Sequence, residues 1–235
     1  MNLSERGKRN VRIRWNRIHQ KEIDYIRKNL DKTFNFKSRL CGYLAGDGNI
    51  LTANSKTCTH YTIRFFPDHY SLIKPFKEAF IKTYNKNPKV KKLKNYYFIT
   101  IDSKPIVYDL LSLVEFGTSN WSIPNKILTN DKNKIEWLRA FFDAEAHIHE
   151  KYIRIQSVNG KGLKQVKELL NQFSINSKIY EYVPKNKKWN KVYILNILRK
   201  KDKINYLKLI GFNHTIKLKK LNKNLDFALN KAAVA

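Results

Sequence analysis

The sequence predicts an α+β protein built from two pseudo-symmetric αββαββα repeats with saddle-shaped antiparallel sheets, packed through two central helices. Three observations predict this. "RLCGYLAGDGNI" at 39–50 and "WLRAFFDAEAHI" at 137–148 share one pattern of small and acidic positions. An alternating, strand-like run follows each of them. Further landmarks then recur in the same order at a nearly constant offset.

The paired helices carry most of the argument. Gly42 and Gly46 are four apart, so they share one helix face and strip it of side chains. Glycine inside a helix costs about 1 kcal/mol against alanine, so two on one stripe imply a second backbone pressed against it. Ala140 and Ala144 stand 98 residues after the two glycines, Glu145 stands 98 after Asp47, and Ile148 stands 98 after Ile50. Two small-faced helices of this kind can pack face to face and bring Asp47 and Glu145 together at their shared end.

The other elements follow in chain order. Residues 1–35 read as a basic helical extension, with Trp15, Ile18, Ile23, Ile26 and Leu30 in a loose stripe. The first repeat occupies 36–125 and closes in the linker "GTSNWSIPN" at 117–125; the second occupies 126–235 and includes a C-terminal helix. Matching strands are "YTIRFF" at 61–66 and "KYIRIQS" at 151–157, and later "YFITI" at 97–101 and "YILNI" at 193–197. Between them lie the helical runs 71–80 and 162–173, and "PIVYDLLSLV" and "KINYLKLI" close the two repeats. Asp68 and Ser103 read as caps of the helices that follow them.

Charge points to the partner. The 235 residues hold 47 Lys+Arg against 19 Asp+Glu, a net +28 spread along the whole chain. Such a field favours an extended polyanion, with nucleic acid ahead of an anionic membrane surface or a ribosomal site. No run of about 18 apolar residues is present, so no membrane span is expected. The first residues lack a signal-peptide apolar region. Cys41 and Cys58 show no metal spacing and fit a reducing, intracellular setting, an organelle matrix or a prokaryotic cytoplasm. The extension at 1–35 reads equally as a DNA-clamping arm or as cover for the core.

Strand alternation sorts the faces. Ile63 and Phe65 oppose Thr62 and Arg64, and Ile153 and Ile155 oppose Tyr152, Arg154 and Gln156. Each sheet thus has an apolar face for helices and a face carrying groups suited to base edges, Arg for guanine and Gln for adenine. Thr100 and Asn196 on the later strands, with Lys185, Lys187 and Lys188 in a basic turn, complete the expected DNA-facing set.

"LCGYLAGDG" at 40–48 and "LRAFFDAEA" at 138–146 resemble the two copies of the motif that names the LAGLIDADG homing endonucleases, a likeness that extends over roughly 36–225. Two copies at repeat spacing are a specific signal where one would be weak. The resemblance implies a single-chain, monomeric DNA endonuclease of intron-homing type. Its sheets would lie in the major groove of a long asymmetric site, and both strands would be cut across the minor groove. It implies Asp47 and Glu145 as acids holding a divalent ion, usually Mg²⁺, with the Gly46 and Ala144 carbonyls completing the ligation. Mn²⁺ would substitute, and Ca²⁺ would support binding without cleavage. Lys104 and Lys200 are the candidates to support the scissile phosphates. The chain departs from the pattern at Ala45, where many members have an acid, at Ala146, where glycine is usual, and at Cys41 and Arg139.

Other chemistries are weaker. "PD" at 67–68 with "DSK" at 102–104 meets the PD-(D/E)xK nuclease spacing, which a lysine-rich chain meets easily by chance. Glu145, His147 and His149 alternate as zinc ligands could, without a further ligand cluster. The main alternative keeps the fold and drops the cleavage: a maturase on intron RNA, or a transcription regulator. Both acids being present favours the enzyme, because unpaired carboxylates would repel a polyanion.

Overall fold

The computed structural model describes residues 5–55, 58–93, 96–186 and 188–233. Its centre is the pair of motif helices, α2 (Phe34–Asp47) and α5 (Asp131–Glu145), which pack along their length. Asn130 caps α5 by accepting a hydrogen bond from the Asn133 N–H. α2 ends where Gly48 turns extended and opens β1 (Gly48–Asn54).

The first repeat continues through β2 (Thr59–Phe65), α3 (Ile73–Tyr84), β3 (Val90–Lys92), β4 (Tyr97–Asp102) and α4 (Lys104–Leu111). Its antiparallel sheet runs β1-β2-β4-β3. The second repeat follows α5 with β5 (His147–Ile148), β6 (Ile153–Ser157), α6 (Gly160–Gln172), β7 (Lys178–Tyr182), β8 (Val192–Ile197) and α7 (Lys200–Leu209). Its sheet runs β5-β6-β8-β7, the same order. Each repeat is therefore αββαββα. The strands β1 and β5 directly after the motif helices carry too little alternation to have been picked out in sequence.

Two further helices lie outside the repeats. α1 (Glu5–Lys28) packs on α3 and α4, and its Glu22 accepts from both Lys86 Nζ at 2.7 Å and Ser103 Oγ at 2.6 Å. The C-terminal part of α1 thus covers the first repeat, while Trp15 nearer its start is half exposed. α8 (Thr215–Ala233) follows α7 and packs against α7 and β5.

The alternation expected of the strands holds at the core. Ile63 and Phe65, like Ile153 and Ile155, are fully buried in one apolar cluster that also takes in Leu40 and Leu44 of α2 and Phe141 and Phe142 of α5. The 117–125 linker forms no regular element, yet it is tied to the core. Trp121 packs on Trp137 and Phe141, and the Asn159 side chain donates to its carbonyl.

Ser103 caps α4 as expected, accepting from the Ile106 N–H. Asp68 does not cap. The side chain of the next residue, His69, does so for the short 3₁₀ turn Tyr70–Leu72, because its backbone is the extended one that a cap requires. Asp68 is left free to point elsewhere.

Candidate active site

The small faces of α2 and α5 meet without room for side chains. A Cβ on Gly46 would lie 2.5 Å from the Ala144 Cβ and 3.5 Å from Glu145 Oε1. That approach places the Glu145 carboxyl beside the last turn of α2, next to Asp47. Both acids are partly exposed at the common foot of the helices. Asp47 Oδ2 is buried without a hydrogen-bond partner.

The electrostatics follow from this geometry. Burial, then the Glu145 and Asp68 charges, push the Asp47 carboxyl up to about 7, with Lys217 acting against the rise. Burial also raises Glu145, which Lys217 again opposes and Asp68 reinforces. Two converging carboxylates both held above their ordinary range mark a site short of positive charge.

Asp68 and Lys217 are the residues that sequence reasoning missed. Asp68 follows β2 at the edge beside Asp47, where the Phe66 N–H donates to the Asp47 carbonyl at 2.9 Å. Its carboxylate lies 3.4 Å from His214 Nε2 and 3.7 Å from Lys217 Nζ, and the His214 hydrogen bond and the Lys217 charge hold it below the usual carboxylate range against the effect of burial. Lys217, in the first turn of α8, donates to the carbonyls of Asp143 at 2.5 Å and Ala144 at 2.8 Å. The approach of α8 is fixed by Asp143, which is fully buried and accepts from the Tyr43 hydroxyl, the Asn213 amide side chain and the backbone N–H groups of Asn213 and His214. The "DAE" run shows that Asp143 is acidic, but nothing in the sequence shows where a helix 70 residues later docks.

Lys104 and Lys200 do not join the acids. Lys104 begins α4 beyond Asp102, with its ammonium over the rings of Tyr61 and Tyr108 at 5.5 and 5.7 Å. Register sets the distance: Phe65 pairs with Gly48 beside Asp47, whereas Asp102 pairs with Thr62 farther along β2. Lys200 follows β8 in the same sense, since Ile197 pairs with Ile153 away from the Glu145 end. Both lysines lie just after the later strands, and strand polarity carries those ends away from the helix foot. The PD-(D/E)xK grouping fails for the same reason, and the Asp102 carboxylate is taken by the Thr62 hydroxyl at 2.7 Å.

The outer sheet faces hold most of the expected contact residues. Arg64 pairs with Thr100 in register on the first sheet, and Arg64 is exposed. On the second, Arg154 and Gln156 lie opposite Asn196 and Ile194, and Tyr152 packs its ring on the Arg154 guanidinium at 3.9 Å. Thr62 and Asn196 are corrections. Both are buried, Thr62 bonded to Asp102, and Asn196 accepting from Arg154 Nε at 2.9 Å, so Asn196 holds the Arg154 side chain rather than facing outward itself. Lys185 and Lys188 are exposed in the β7–β8 turn, and Lys187 lies outside the described residues. Alternation on β5 and β7 adds His147, Lys178, Tyr180 and Tyr182 to this face. Among the described residues no group of three or more His, Cys, Asp or Glu side chains is arranged to hold a metal ion. His149 instead stacks on Tyr152 at 4.9 Å.

Two αββαββα repeats joined through small-faced helices, with an acid at each foot, form the architecture that the LAGLIDADG resemblance implies. Residues 132–211 match the model of the LAGLIDADG-like domain. Among solved structures, mesophilic variants of the homing endonuclease I-DmoI align at TM-score 0.61 and 22% identity, covering 76% of this chain and 96% of that one. I-DmoI in complex with DNA and Mn aligns at TM-score 0.60 and 22% identity, covering 76% of this chain and 97% of that one. Full-length DUF199/WhiA from Thermatoga maritima aligns at TM-score 0.53 and 16% identity, covering 89% of this chain and 66% of that one. A curated protein of Methanocaldococcus jannaschii, named probable translation initiation factor IF-2, is 29% identical over 147 residues. The match takes in 59% of this chain and 13% of that protein's length. Among the described residues no helix is long and apolar enough to cross a membrane.

Proposed function

We propose that the protein is a site-specific DNA endonuclease of homing type, acting as a monomer with Mg²⁺ to break both strands of a long asymmetric target. The observation that carries this is the pairing of Asp47 and Glu145 at the common helix foot, with Asp47 Oδ2 buried and unpartnered. A binding protein has no use for such a pair facing a polyanion. The donors fit a hard divalent cation, which takes one or two carboxylates and completes its shell with carbonyls, water and phosphate oxygens. Asp47 and Glu145 would hold it, with the Gly46 and Ala144 carbonyls beside them. Bound there, the ion supplies Lewis-acid polarisation of phosphate and a water acidic enough to attack it.

The chain's own residues do the rest. Arg64, Arg154 and Gln156 present donors on the outer sheet faces, and Tyr152 and Asn196 hold Arg154 in place. Lys185 and Lys188 add phosphate contacts, which position DNA without reading it. Lys217 offsets part of the carboxylate repulsion while DNA approaches.

The test is cleavage of a supercoiled plasmid carrying a candidate insertion site, with Mg²⁺ or EDTA. Mg²⁺-dependent linearisation by the wild type, abolished in Asp47→Asn and Glu145→Gln while DNA binding persists, is the expected result. Tight binding without any cutting by the wild type would instead support a non-cleaving binder of DNA or intron RNA. The fold shared with WhiA and the ammonium seated at Ala144 favour that second reading.

A further inference from the structure

α1 is held to the body by one half of its length. Ile18, Glu22 and Ile26 form a stripe in which Glu22 accepts from Lys86 and Ser103, and Ile26 packs on the core. Val11 and Trp15 continue that stripe toward the N-terminus at helical spacing, yet they are 45% and 50% exposed. Every residue from Arg9 to Arg17 is exposed, whichever way it points. The helix therefore overhangs the body by roughly two and a half turns.

The overhang is cationic. Arg9, Arg12, Arg14, Arg17 and Lys21 fall within 9–21, which holds no Asp or Glu. Among the described residues none of these arginines is in an ion pair, and the α1 acid that is paired, Glu22, is taken by Lys86. Like charges three and four apart, as at Arg9 and Arg12, Arg14 and Arg17, and Arg17 and Lys21, weaken a helix in water. Core packing does not require them either, since all are exposed. At about 100° per residue, Arg9, Ile13 and Arg17 face away from the docked stripe, with Asn16 and Gln20 beside them. Arg12 flanks that face on one side, and Arg14 and Lys21 flank it on the other.

We propose that the free half of α1, residues 9–21, enters the major groove of duplex DNA next to the stretch covered by the first sheet. This rests on the reading of the chain as a DNA-binding protein, and it adds a second contact surface to the outer sheet faces. A B-form major groove admits an α-helix and sets phosphates along both its flanks, which suits cations on both flanks with amides between them. A-form RNA has a major groove too deep and narrow for such a helix. The anchor fixes which end is reached. Ser103 follows Asp102, which pairs with Thr62, whereas Phe65 at the other end of β2 pairs with Gly48 beside the acids. α1 is thus anchored at the end of the first sheet remote from the acids, where a duplex running along the sheets leaves it.

The experiment compares the full-length wild type with a triple variant, Arg12→Gln, Arg14→Gln and Arg17→Gln, and with the same three positions changed to Lys. Fluorescence anisotropy on a random-sequence duplex over a salt series reads the phosphates neutralised. The Gln variant should lower the slope of log Kd against log salt by about three, and the Lys variant should keep it. Hydroxyl-radical footprinting on the candidate insertion site should show the Gln variant losing roughly four base pairs at one end, from about 1.5 Å of helix per residue against 3.4 Å per base pair. The three side chains are exposed, so the melting temperature should hold. A slope equal to wild type in the Gln variant, or an unshortened footprint, would overturn the proposal. So would lost affinity for a stem-loop RNA with duplex binding unchanged. Failure of the endonuclease reading looks different: the wild type never cuts the plasmid, while the salt slopes still separate the variants.

Discussion

The Cβ that Gly42 lacks would lie 2.5 Å from the Trp137 carbonyl oxygen and 2.9 Å from the Ala140 Cβ. The nearest obstacle is backbone, which cannot rotate out of the way. The repeats are held at this distance because nothing larger than hydrogen stands between the helices.

Gly42→Ala should accordingly destabilise the protein by about 1–3 kcal/mol, the usual penalty of overpacking, although alanine is the better helix former by about 1 kcal/mol. Urea unfolding of the two forms measures it. A midpoint equal to or above wild type would mean that the helices part more easily than their contact implies.

Asp47 sets a pH dependence of definite sign. The folded protein holds the Asp47 proton up to about 7, whereas the unfolded chain releases it near 3.8. Between these values the folded state binds more protons, so this group makes stability fall as pH rises. Asp47→Asn should then melt higher than metal-free wild type at about pH 8 and converge on it near pH 4. Divalent-ion affinity should run the other way, rising through pH 7 as the carboxylate loses its proton. Melting curves and Mn²⁺ titrations across that range check both slopes.

Asp143 should matter more to stability than either Asp47 or Glu145. Its carboxylate answers four donors in a fully buried position. Asp143→Ala leaves those donors unsatisfied, each such loss costing about 1–3 kcal/mol, and should unfold the protein or free α8. Hydrogen exchange in residues 213–220 is the specific readout. Protection there equal to wild type would refute the anchoring role.

The sheet face separates positioning from reading. Asn196→Ala should weaken DNA binding in the same direction as Arg154→Ala, although Asn196 is buried, because it fixes the guanidinium. Lys188→Ala should instead lower affinity for all sequences alike and reduce the salt dependence by about one counterion. Fluorescence anisotropy over a salt series distinguishes them. Full binding in Asn196→Ala would leave it a bystander.

By itself the sequence determined the repeat, the helix pairing, the two acids and the apolar side of each sheet. These are periodic or local properties. Small residues four apart demand a close neighbour, alternation assigns faces, and a serine before a helix caps it, as Ser103 does. Tertiary structure alone decided which charges meet the acids. Lys104 and Lys200 lie at strand ends that the antiparallel register carries away from the helix foot. Asp68 and Lys217 are brought to it, one by the turn after β2 and the other by a helix docked through Asp143. In a chain with 47 Lys and Arg residues, which ammonium closes on Ala144 depends on contacts 73 residues apart. Periodicity carries no information over that distance, and only the folded packing of α8 supplies it.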